Sequence, residues 1–120
     1  AKIRTFRELV AWQKAMLLAK LVYRATVQMP RDEQFGLTNQ MRRASVSVPS
    51  NIAEGFGRQS RMELLKFLRT ARGSFNELST QIELAQELDM LRSNQELAEM
   101  IQEVDRVLQG LIRSLERKRS

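Results

Sequence analysis

Residues 42–58 read RRASVSVPSNIAEGFGR, and whether this stretch is strand, helix or loop decides the fold. Ser45, Val46, Ser47 and Val48 alternate polar and apolar as a half-buried strand does. The alternation covers only four residues, and a lone strand with no partner strand leaves its backbone groups unpaired. A helical spacing competes with it. Leu37, Met41, Ala44 and Val48 share one face, and Ile52 and Phe56 continue it. Pro49 deletes the donor that would reach Ser45 and crowds that turn, at ~3 kcal/mol in a helix interior. The stretch is therefore expected to be a helix with a kink at Pro49.

On that reading the small residues Ala44, Ser45, Ser47, Ser50, Ala53 and Gly55 let a neighbouring helix approach closely. The serine hydroxyls can bond back to nearby carbonyls. Gly55 and Gly57 are expected to close the helix through a left-handed residue. Asn51 and Glu54 are polar groups among small and apolar ones; once buried, each needs a partner. Both are expected to organise the bundle or a contact between subunits. EGFGR lacks the full glycine spacing and the preceding strand of a phosphate-binding loop.

The flanking sequence is helical in pattern. Thr5 with Glu8 has capping-box spacing and is expected to open a helix from Phe6 to about Gln28, ended by Pro30. Its stripe is Leu9, Trp12, Met16, Ala19, Tyr23 and Thr26. Ser60 with Glu63 opens a third helix with the stripe Leu64, Leu68, Ala71, Phe75, Leu78, Ile82 and Ala85. Ser93 with Glu96 opens the last, with Leu97, Ile101, Val104, Leu108, Leu111 and Leu115. Spacing near 3.5 residues favours shallow packing between long helices, and the short link at Arg92 and Ser93 makes the last two antiparallel. The expected fold is all-α, an up-and-down four-helix bundle with a proline-kinked second helix. The tail RSLERKRS is expected to fray.

The bulk composition agrees. The 120 residues, 42% hydrophobic, suit one domain with an ordinary core. There is no cysteine and no histidine, which removes disulfides, thiolate metal sites and Cys- or Ser-His nucleophiles. No second acidic residue stands beside Glu54 or Glu63 at helical spacing to make a paired carboxylate site, so no enzyme is expected and no cofactor is implied. No apolar run is long enough to cross a membrane and the first residues carry no signal-peptide pattern, so the expected location is cytoplasmic.

WQKA at Trp12–Ala15, FGL at Phe35–Leu37, QMRRASVSVPSNIAEGFGR at Gln40–Arg58 and ARGSFNEL at Ala71–Leu78 carry a family likeness. They resemble bacterial four-helix-bundle proteins encoded by intervening sequences inserted in large-subunit ribosomal RNA genes. The resemblance spans roughly Phe6 to Leu91; the last helix matches in pattern. It implies the same bundle, with the quoted stretch inside the second helix, assembled as a homopentameric ring. A distant branch is the accessory factor of diversity-generating retroelements, which binds nucleic acid and partners a reverse transcriptase. This sequence shares little motif detail with that branch. Nothing in the residues supports a structural place in the ribosome.

Net charge is +6, which favours nucleic acid as a partner. Arg42 and Arg43 form one patch on the second helix; Arg58, Arg61, Lys66, Arg69 and Arg72 form another around the following turn and the third helix. These seven are the candidate phosphate contacts. Gly73, in mid-helix, costs ~1 kcal/mol against alanine, so a close backbone approach is expected there, within the bundle or between subunits. Trp12, Tyr23, Phe35, Phe56, Phe67 and Phe75 fall at mostly core-like positions rather than on a base-stacking platform. Any nucleic acid would be held by backbone charge and shape. The competing expectation is a protein-interaction scaffold whose ring docks another protein.

Overall fold

The computed structural model describes residues 2–117. Every regular element among them is helical: α1 Val10–Ala25, α2 Leu37–Phe56, α3 Arg61–Glu87 and α4 Gln95–Arg117, with short 3-10 turns at Phe6–Glu8, Thr26–Gln28 and Arg31–Glu33. The helices pack in ring order, α1 on α2, α2 on α3, α3 on α4, and α4 back on α1. Named contacts fix the sense of each pair. Arg42, early in α2, reaches Thr26 and Tyr23 at the end of α1. Ser47 meets Ser74 while Gly55 lies against Phe67, so α2 and α3 run oppositely. Arg69, early in α3, pairs with Glu116 late in α4, and Gln28 beyond α1 accepts from the Arg92 N–H ahead of α4. This is the expected up-and-down bundle, 50 Å long and 25 by 21 Å across.

The quoted stretch is helix. α2 runs unbroken across Pro49, which is buried, and Met41, Val48 and Ile52 are wholly excluded from solvent. Ser45, whose carbonyl finds no N–H at residue 49, turns its hydroxyl onto the Arg42 carbonyl at 2.8 Å. The burial of Leu68, Ala71, Phe75, Leu78, Ile82 and Ala85 on α3, and of Leu97, Val104 and Leu108 on α4, follows the expected stripes. Ser60 caps α3 by accepting the Glu63 N–H at 3.1 Å.

Four expectations are corrected. The first helix does not run from Phe6. Leu9 is extended, and Phe6–Glu8 forms a separate turn that folds the Phe6 ring edge-on to Trp12 at 5.2 Å. Thr5 accepts from Arg7 rather than Glu8, and the Glu8 carboxylate accepts from Arg4 instead. The buried face of α1 is Ala11, Ala15, Leu18, Leu21, Val22 and Ala25, roughly 100° around the helix from the expected stripe, of which only Thr26, just past the helix, is buried. α1 has two apolar faces, and the one with the smaller side chains went inward because it allows closer packing.

The second correction concerns glycine. Neither Gly55 nor Gly57 is left-handed; Gly57 has φ −77° and ψ −6°. Gly55 is buried at the α2–α3 crossing, where a Cβ would stand 2.7 Å from Phe67 Cβ and 3.3 Å from the Leu64 carbonyl oxygen. The left-handed residue is Asp89, φ 58°, after α3. The Met90 N–H donates to the Ala85 carbonyl and the Asp89 N–H to Gln86, which is a Schellman closure without glycine. Third, α4 is capped by Asn94, whose side-chain oxygen accepts the Leu97 N–H at 3.1 Å, one residue beyond the expected Ser93. Fourth, of the aromatics only Phe75 is fully core; Tyr23 is 44% and Phe35 88% exposed. The basic tail is helical through Arg117, and residues 118–120 lie outside the described chain. No helix among the described residues is long and apolar enough to cross a membrane.

Candidate nucleic-acid interface

Charge is divided along α3 and α4. Residues 58–72 carry five basic side chains and one acidic, Glu63. They span the α2–α3 turn and the first half of α3, beside the last turns of α4. Arg113 and Arg117, both exposed on α4, belong to the same end. Residues 74–106, the second half of α3 and the first half of α4, carry eight acidic side chains and two basic. This division was present in the order of charges along the chain; only the fold stacks its two halves at opposite ends.

The seven candidate cations differ in how free they are. Arg42 is committed to α1: its Nε donates to Thr26 Oγ1 at 2.9 Å and its guanidinium lies 4.9 Å over the Tyr23 ring. Arg58 pairs with Glu54 at 2.6 Å and stacks 4.8 Å over Phe67. Arg61 donates to the Leu115 carbonyl at 3.3 Å, supporting the end of α4 where the helix dipole is negative. Arg69 pairs with Glu116 at 2.7 Å. Arg43, Lys66 and Arg72 are exposed, with no ion-pair partner among the described residues. Lys66 and Arg72 lie on the basic half of α3; Arg43 lies toward the other end, opposite Glu77 across a shallow polar hollow. Arginines 58, 61 and 69 keep several guanidinium N–H groups free beyond the bonds they make.

Asn51 ties into the α2–α3 contact only through Ser47. Its amide donates to the Ser47 carbonyl at 2.9 Å and to the Ser47 hydroxyl at 3.0 Å, and that hydroxyl is 2.7 Å from Ser74 Oγ on α3. Glu54 does not: it is exposed and engaged by Arg58, because its helix position faces outward, one turn before the chain leaves α2. Gly73 is also corrected within the chain, since nothing lies within 4 Å of where its Cβ would be. A bridge on the opposite face links helices: Glu103 pairs with Arg106 at 2.6 Å and with Lys14 of α1 at 3.4 Å. The Arg106 hydrogen bond, with help from Lys14, holds the Glu103 carboxyl below its ordinary pKa.

The second apolar face of α1 is the feature that sequence reasoning misplaced. Trp12, Met16, Ala19 and Tyr23, with Val46 and Pro49 of α2, line an open groove of ≈620 Å³ that Phe6 closes at one end. Lys20 and Arg24 stand on its rim. Among the described residues no group of three or more acidic side chains is placed to hold a metal ion.

The class is thus an antiparallel four-helix bundle with charge segregated along α3 and α4 and an open apolar groove on α1 and α2. The chain belongs to the family of 23S rRNA-intervening sequence proteins, whose pattern it matches over residues 7–112. That span takes in α1, α2, α3 and most of α4, so the likeness extends past Leu91 into the last helix. No curated protein matches the chain.

Proposed function

We propose that this chain is a non-enzymatic, self-associating bundle that binds the sugar–phosphate backbone of nucleic acid with its basic end. The observation that carries the reading is the segregation of charge. A protein that needs net charge only for solubility has no reason to gather five cations in residues 58–72 and leave an acidic block beyond them. Lys66 and Arg72, free of ion pairs, are the principal phosphate contacts; Arg58, Arg61 and Arg69 add donors from the same end. Arg43 is a contact from the far end of α2, and Arg42 serves to hold α2 on α1. Exposed aromatics do not accompany the cations on α3, so binding is by charge and shape, with weak sequence preference. The ring of five subunits rests on the family resemblance, and a ring would gather the basic ends of its copies into one surface. The location inside the cell, in the cytoplasm, goes with this reading.

The test is fluorescence anisotropy with labelled structured RNA, double-stranded DNA and single-stranded DNA across a salt series. Five neutralised phosphates give a slope of log affinity against log salt of about −4.5 on a duplex. No binding at low salt sends the function to protein partners. The scaffold reading draws on the open groove, which has the apolar lining of a docking site.

A further inference from the structure

The groove and the acidic half of α3 are complementary in both shape and charge. At the outer face of the α3 C-terminus, Leu84 and the capping residue Leu88 lie about one turn apart and are 46% and 53% exposed. Glu83 and Glu87, again one turn apart, run alongside, and Leu84 shares a shallow hollow with both. Elsewhere in the molecule, the groove offers an apolar floor of Trp12, Met16, Ala19 and Tyr23 with Lys20 and Arg24 on its rim. One surface is an apolar ridge edged with carboxylates; the other is an apolar trough edged with cations. Within one copy they cannot meet, because the ridge is on α3 and the trough on α1 and α2.

We infer that the α3 ridge of one copy seats in the α1–α2 groove of the next, Leu84 and Leu88 entering the trough while Glu83 and Glu87 face Lys20 and Arg24. This rests on the proposal that the chain self-associates, and it names the surfaces that do so. The contact is heterologous: each copy uses a different face toward each neighbour, so repetition builds a ring or a filament rather than a two-fold dimer. The cationic rim and the ridge both lie toward the end of the bundle where Gln28, beyond α1, meets Arg92 of the α3–α4 turn, and the trough runs on from there toward Phe6 and Ala53. The acidic block of residues 74–106, unexplained by nucleic-acid binding, then has a role as the counterpart of the cationic rim.

The test uses light scattering coupled to size exclusion on the wild type, two variants and the mixture of the two. Lys20→Glu/Arg24→Glu blocks the trough and Leu84→Ser/Leu88→Ser blocks the ridge; all four positions are exposed, so helix content and melting should stay near wild type. The expected result is an assembled wild type and two monomeric variants, each with self-association weakened at least about ten-fold. Mixed in equal amounts, the two variants should form a one-to-one dimer and nothing larger, because one intact trough and one intact ridge remain. If both variants keep the wild-type size, the interface lies elsewhere and self-association stands. Monomeric variants that fail to combine on mixing also overturn the ridge-in-trough contact. A wild type that is monomeric at every concentration overturns self-association itself, and this inference with it.

Discussion

Two glycines inside long helices make opposite demands, and alanine at each reads them out. Alanine in place of glycine in a helix interior stabilises by ~1 kcal/mol, from reduced backbone freedom in the unfolded chain. At Gly73 nothing lies within 4 Å of the added methyl, so Gly73→Ala should show that full gain. At Gly55 the methyl would lie 2.7 Å from Phe67 Cβ, 3.2 Å from Leu64 Cδ1 and 3.3 Å from the Leu64 carbonyl oxygen. Phe67 Cβ is tied directly to the α3 backbone and the carbonyl is part of it, so neither swings aside. The helices must separate, and overpacking of this kind costs about 1–3 kcal/mol, which outweighs the gain in propensity. Gly55→Ala should therefore lose about 1–2 kcal/mol, and the two variants should differ by about 2–3 kcal/mol. Thermal melts at matched protein concentration resolve this, since a domain near this size shifts by roughly 4 °C per kcal/mol. A Gly55→Ala protein as stable as wild type would refute the close approach of α2 and α3. A Gly73→Ala loss that grows with concentration, as assembly becomes possible, would place Gly73 between copies.

The Asn51–Ser47–Ser74 bridge should behave as a unit. Asn51→Ala and Ser74→Ala should each lose about 1 kcal/mol in urea melts, and the double variant should lose less than the sum; strict additivity would contradict a shared network. Asp89 holds φ 58° with an L side chain, so Asp89→Gly should stabilise by about 1 kcal/mol, and a destabilised variant would mean that the aspartate makes a contact that matters more than its backbone. Glu103 titrates below its ordinary pKa when folded. Its ion pairs with Arg106 and Lys14 thus contribute stability above the unfolded carboxylate pKa that is lost as pH falls through the lowered one. Glu103→Gln should flatten that part of the acid limb of a stability–pH curve, and an unchanged limb would remove the pair from the account.

The sequence carried the helices further than the site. α3 and α4 were legible because each has one dominant apolar stripe, although Leu65 and Ile112 are buried beside it while Leu64, Leu111 and Leu115 are only partly so. α2 was legible once a lone strand was seen to have no partner, and Pro49 proved compatible with continuing helix. α1 was misassigned because it is apolar on two faces: large aromatics drew attention to Trp12 and Tyr23, while packing selected the alanines. That same ambiguity is the signature of the open groove, and a helix with more apolar surface than one core needs is the sign to look for. Asn51 was legible as a polar group in a small-residue setting and is half-buried; Glu54 was not, because it stands in the last turn of α2 within reach of Arg58. Gly55 and Gly73 look alike in sequence and differ only in what stands opposite them. The cations were found by type and spacing, yet which were free depended on Glu54, Glu116 and the Leu115 carbonyl, partners that only the fold supplies.

The most direct measurement compares nucleic-acid affinity after charge reversal at the two ends. Lys66→Glu/Arg72→Glu alters the free cations of the basic half of α3, and Lys20→Glu/Arg24→Glu alters as many exposed cations on the groove rim. Measured on duplex across a salt series, with the assembly state of each protein recorded, the first variant should bind more weakly and lose about 2 units of salt slope. The second should keep the wild-type slope per copy, even where loss of assembly lowers its avidity. Equal loss of slope in both would reduce binding to net charge, and an unaltered slope at Lys66 and Arg72 would contradict the basic end as the binding surface.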